Sequence, residues 1–144
     1  MSGLWNGLSQ GFGYVLILAA SVMLGWGTLG FLEYFTGLAP LVPLQNATFP
    51  GGTQFLHWLL ITLSGSVFLT GYFLRWRYTP LAMIVLYAAI ATLCAIETFD
   101  FMENPGRYWD FARECTYYVL ISIYLVRSRR MRERFGEIMV VAER

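Results

Sequence analysis

The chain has 144 residues, 57% of them hydrophobic and 13% charged, with a formal net charge of +1. Soluble domains are about 45–50% apolar and about 25% charged, so this composition excludes an ordinary water-covered globule and favours a fold solvated by lipid. The near-zero charge gives no surface for nucleic acid, and the length allows a single domain.

A helix that crosses a bilayer takes about 20 mostly apolar residues. The first such stretch covers about 12–35. No Lys or Arg precedes residue 12, so the basic segment of a cleavable signal is missing and this stretch is expected to stay as a helix. An uncharged loop follows from Gly37 to Gly52, with Pro40, Pro43, Pro50 and a Gly-Gly pair. Within it, Asn46, Ala47 and Thr48 form a glycosylation sequon. The second span covers about 55–74 and ends in a tight hairpin carrying Arg75 and Arg77. The third, about 80–99, opens on Pro80, a residue suited to a helix's first turn. Asn104, Pro105 and Gly106 mark a turn before the fourth, about 108–126. The apolar part of that fourth span, Tyr117 to Val126, is too short alone, so Asp110, Arg113 and Glu114 must fall in its first turns.

These elements predict an all-α integral membrane protein, a bundle of four transmembrane helices forming one domain, with a short tail over 127–144. All ten basic residues are arginine. Arg75, Arg77 and the cluster Arg127, Arg129, Arg130, Arg132 and Arg134 fall on one side of four spans, so the positive-inside rule places both termini in the cytoplasm. The location expected is a bacterial inner membrane, with the arginine cluster on its inner surface or against a partner. Trp58, Trp76, Tyr78, Tyr108 and Trp109 sit at helix ends and are read as interfacial anchors.

The polar residues of the spans gather in the opposite, outer leaflet: Glu33, His57, Glu97, Asp100, Asp110, Arg113 and Glu114. Ionisable groups in lipid are costly and usually face a bundle interior or a wet cavity. Spacings of three between Glu97 and Asp100, and four between Asp110 and Glu114, place each pair on one helical face. The candidate site is therefore an outer pocket lined by Glu33, His57, Glu97, Asp100, Arg113 and Glu114. The competing reading is that charges at span ends reach into the headgroups and only anchor the helices. A single histidine excludes bis-histidine haem ligation within the chain. A metal held by His57, Glu97 and Glu114 is conceivable on a four-helix frame, yet no Glu-x-x-His motif is present and no metal is expected. Cys94 and Cys115 lie at similar depth, where they either pair or pack as small residues. Gly25, Gly27, Gly30, Gly65 and Gly71 read as sites of close helix approach.

Gly30, Phe31, Leu32 and Glu33, followed by Gly65, Gly71 and Arg75 around a second helix and hairpin, resemble the DoxX-like family of small four-helix membrane proteins. The resemblance covers about half the chain. It implies a four-helix fold and, for some members, service in quinone-linked sulfur oxidation. The chain departs from the family in having Glu33 where a lysine is usual, and Ile61 where a glutamate is usual, with His57 one turn outward.

Three functions follow as expectations. The first is an accessory subunit docked on a larger respiratory, photosynthetic or other redox complex. The second is a quinone-linked redox protein using the outer carboxylate and histidine pocket. The third is a small cation or metal transporter. The partners implied are the bilayer and either other membrane subunits or further copies of the chain; the cofactor classes are a quinone or a pigment of the partner complex, with no nucleic acid.

Overall fold

A computed structural model describes residues 2–38, 43–44 and 48–136, with side chains from residue 11 onward. Five α-helices follow in order: α1 (Ser2–Thr36), α2 (Gly51–Leu74), α3 (Thr79–Ile96), α4 (Arg107–Arg127) and α5 (Arg129–Phe135). A π-helical turn, Glu97–Phe101, extends α3. No strand occurs among the described residues. The chain is thus all-helical, as its composition requires.

Three helical segments are long and apolar enough to cross a membrane: Gly11–Thr36, Gly51–Leu74 and Thr79–Phe101. The fourth predicted span forms a helix of 21 residues, but it does not join that group. Arg107, Asp110, Arg113, Glu114 and Arg127 load it with charge over its length. The first helix is longer than its apolar pattern, because it starts at Ser2.

Helix ends follow local chemistry. Gly37, at φ +70, closes α1 and donates its amide to the Glu33 carbonyl at 2.8 Å. At the end of α2, Arg75 takes the left-handed conformation (φ 54), and the Arg75 and Trp76 amides both reach the Gly71 carbonyl. That geometry turns the chain at once into α3, where Pro80 occupies the first turn. Arg107 clamps the α3–α4 turn, donating to the Met102 carbonyl at 2.7 Å and to the Tyr108 hydroxyl at 2.8 Å.

α1 and α2 meet along small residues. The ring of Trp58 lies flat over Gly30, and Thr62 fills the space over Gly27. At Gly65 a side chain would meet the Ala20 carbonyl oxygen at 2.7 Å and the Leu24 amide nitrogen at 2.8 Å. Trp58 is consequently 5% exposed, so it packs between helices and is not the interfacial anchor its position suggested. Trp76, Tyr78, Tyr108 and Trp109 are exposed, as anchors would be.

The core lies toward the arginine-rich end, built from Leu16, Ala20, Phe68, Tyr72, Met83, Tyr87 and Ile90 on the first three helices and Leu125 on α4. Met131 and Phe135 of α5 belong to it as well, at 0% and 3% exposure. The arginine cluster therefore divides. Arg134 donates to the Tyr72 carbonyl at 3.0 Å and stacks on its ring, and Arg130 lies over the ring of Tyr14. Arg127, Arg129 and Arg132 face outward, Arg129 paired with Glu133 at 2.7 Å. Residues 137–144 and the sequon residue Asn46 lie outside the described residues.

The seating of α5 gives a first prediction. Phe135→Ala removes a buried aromatic, a change that costs about 3–5 kcal/mol in a closed core. Because α5 is terminal to the described fold, it is expected to detach locally, and trypsin cleavage after Arg129, Arg130 or Arg132 should accelerate about tenfold or more. Unchanged cleavage would mean that α5 is held by something other than its apolar face.

Candidate functional site

The end of the bundle opposite the arginines carries the polar side chains. His57 stands on α2, one turn beyond the buried Gln54. Glu97 starts the π-helical turn on α3. The two side chains meet, with His57 Nδ1 at 2.9 Å from Glu97 Oε1. Glu97 is enclosed, its side chain 3% exposed, while His57 keeps 29%. The imidazole lies edge-on to Trp58, their centroids 5.1 Å apart, and Nε2 has no hydrogen-bond partner among the described residues.

The π turn explains the placement. Such turns widen the helix and often occur at functional sites. The Glu97 contact holds the imidazole by Nδ1 and leaves Nε2 outside that contact.

The wider turn also corrects the expectation that Glu97 and Asp100 share a face. Glu97 is buried and Asp100 exposed, because a π turn rotates less per residue than an α-helix, so three residues stop farther short of a full turn. Glu114 is partly buried on α4 and accepts from Cys94 Sγ at 3.5 Å, linking α4 to the turn of α3 just before Glu97. Asp110 and Arg113 pair with one another at 2.8 Å, about half exposed, at the outer end of α4. Glu33 is 7% exposed, and its Oε2 accepts the Leu44 amide at 2.7 Å, so this carboxylate fastens the α1–α2 loop. Of the six predicted pocket residues, His57 meets Glu97, and Glu114 meets Cys94 on the turn before Glu97, while Asp100 and Arg113 face outward. Both cysteines are free thiols. Among the described residues no three His, Cys, Asp or Glu side chains group as metal ligands.

Cys94 was weighed in the sequence only as packing or a disulfide partner, and its role as the bridge between Glu97's helix and Glu114 was missed. The signal was present in the three-residue spacing from Cys94 to Glu97.

Inward from these contacts, Tyr87 and Tyr118 stack with ring centroids 5.2 Å apart. Beside them lies a cavity of about 60 Å³, lined mainly by apolar side chains of the first four helices and by Ser64. Ser64 is 1% exposed, and its hydroxyl has no partner among the described residues. A buried hydroxyl without a partner costs about 1–3 kcal/mol. Ser64→Ala is therefore expected to raise stability by about 1 kcal/mol in reversible unfolding in mixed micelles. A loss of stability instead would indicate that the hydroxyl is satisfied by water in the cavity.

No family model, curated protein or solved structure matches this chain. The site must therefore be read from its own geometry.

Proposed function

We propose that the chain is a small multi-pass membrane protein that exchanges protons with a redox partner, of the quinol class, at the His57–Glu97 pair. The observation that carries this reading is the 2.9 Å contact between a part-exposed imidazole and an enclosed carboxylate, with Nε2 left open. Oxidation of a quinol sends two electrons to a redox acceptor in the native assembly and releases two protons from its hydroxyl groups, and a base aimed at such a hydroxyl accelerates proton transfer by about 10²–10⁴-fold. His57 Nε2 accepts the proton, and Glu97 stabilises the imidazolium that forms. Glu114 supplies a second carboxylate, bonded by Cys94 one turn before Glu97. The resemblance to the DoxX-like family in the first two helices agrees with a quinone-linked role.

In this reading the chain crosses a bacterial inner membrane four times, both termini are cytoplasmic, and the pair lies in the outer leaflet. α4 completes the fourth crossing with its charged first turns at the outer surface.

A test is quinone analysis of protein extracted in mild detergent, together with quinol oxidation by the native assembly. Wild type should retain quinone, and His57→Asn or Glu97→Gln should slow quinol oxidation by about 10²-fold or more. Unchanged rates in both variants would overturn the assignment.

A second reading, an accessory subunit of a larger redox complex, draws on α4. Only Leu125 is fully buried on that helix, while Trp109, Tyr117, Val119, Leu120 and Ile123 are exposed beside Arg113. A helix with this charge load is poorly suited to face lipid alone, and a neighbouring subunit would cover it. Co-migration of the chain with larger redox proteins after mild extraction is the expected result; migration alone would remove this reading and leave the first.

A further inference from the structure

A second site lies at the arginine-rich end, on the outside of α2. Ser66, Val67, Thr70, Gly71, Leu74 and Trp76 line an open apolar furrow of about 230 Å³. From Ser66 to Leu74 it follows the helix for about 12 Å at 1.5 Å per residue, most of one leaflet's hydrocarbon depth of about 15 Å. Gly71 forms part of its floor, where Thr79 of α3 occupies the space a side chain would take and seals the furrow against the third helix.

Charge gathers where the furrow ends. Trp76 closes it and is flanked in the hairpin by Arg75 and Arg77, both exposed. Neither arginine has a carboxylate partner among the described residues. The sequence from Tyr34 to Ile96 contains no Asp or Glu, so neither α2 nor α3 before its π turn offers one. Arg77 reaches only its neighbour, stacking over the Tyr78 ring at 4.5 Å and bonding its hydroxyl. Two unneutralised guanidinium groups at an interfacial tryptophan, above an acyl-sized furrow, match one kind of molecule.

We infer that this furrow binds an anionic glycerophospholipid, one acyl chain lying along Ser66–Leu74 and the phosphate between Arg75 and Arg77. Guanidinium groups suit phosphate oxygens through paired N–H donors. A zwitterionic lipid carries its own cation beside the phosphate and gains less from two arginines. The assignment is independent of the chemistry at His57.

The test uses the full chain in nanodiscs of phosphatidylcholine mixed with phosphatidylglycerol, followed by native mass spectrometry of retained lipid. Wild type is expected to retain phosphatidylglycerol over phosphatidylcholine by about tenfold, the scale set by two basic side chains near a membrane surface. Arg75→Gly with Arg77→Gln should abolish the preference; glycine suits the left-handed turn at position 75, so the hairpin is kept. Thr70→Trp, which fills the furrow and leaves both arginines, should abolish it as well. Arg129→Gln with Arg132→Gln should leave it intact. Equal retention of the two lipids by wild type overturns the site. A preference that survives Thr70→Trp, or is lost in the Arg129 and Arg132 variant, also overturns it, since diffuse surface charge would then account for the selection.

Discussion

His57→Leu is expected to destabilise the bundle by about 2–3 kcal/mol, and His57→Leu with Glu97→Leu to return it to within about 1 kcal/mol of wild type. Removing the imidazole leaves the enclosed Glu97 carboxyl group without its hydrogen-bond partner, which costs about 1–3 kcal/mol, and the burial of Glu97 puts the loss in the upper part of that range. Replacing both partners by apolar side chains removes the desolvation cost along with the attraction, and is often neutral. Reversible unfolding in mixed micelles, run as a double-mutant cycle, gives the coupling directly. Quinol oxidation should be lost in the single and the double variant alike. A double variant that stays as unstable as the single would show that the two side chains act apart, against the 2.9 Å contact.

Gly65→Leu is expected to be more damaging still. Its first side-chain carbon would meet the Ala20 carbonyl oxygen at 2.7 Å, the Leu24 amide at 2.8 Å and the Leu24 Cβ at 2.9 Å. Two of these are backbone atoms of α1, which cannot rotate away, so the helices must separate. Overpacking costs about 1–3 kcal/mol where side chains can adjust; with backbone opposed, a loss of 3 kcal/mol or more is expected. The close packing that substitutes for the hydrophobic effect in lipid is lost with it. Gly25→Ala is the control, since nothing lies within 4 Å of its added carbon. That change should be neutral or stabilising by up to about 1 kcal/mol. Both are read from the same unfolding measurement, and similar effects for the two would show that α1 and α2 do not meet at Gly65.

The apolar runs made the helices legible, and the turn residues located their ends. Pro80 at the start of α3 and the Asn-Pro-Gly turn before α4 both stand where the sequence placed them. The gathering of polar groups at one end was legible too, because depth follows from distance along a helix. Rotation was not. The π turn at Glu97 leaves no mark in composition, yet it separates Glu97 from Asp100 and brings Glu97 to His57. Trp58 read as an anchor because tryptophans at helix ends usually are; its burial depends on Gly30 of another helix, a pairing no single segment reveals. The same holds for α5. Met131 and Phe135 are spaced four apart, and the place they cover, against Tyr72 of α2, is set by tertiary packing.

The cap formed by α5 has an electrical consequence. The arginine-rich end is filled by apolar side chains and closed by Met131 and Phe135, while His57 and Glu97 stand at the other end of the bundle. On the proposed reading, a proton accepted by His57 would be released at that same end of the bundle and would itself traverse none of the transmembrane field. The proton-transfer step would then be indifferent to membrane voltage.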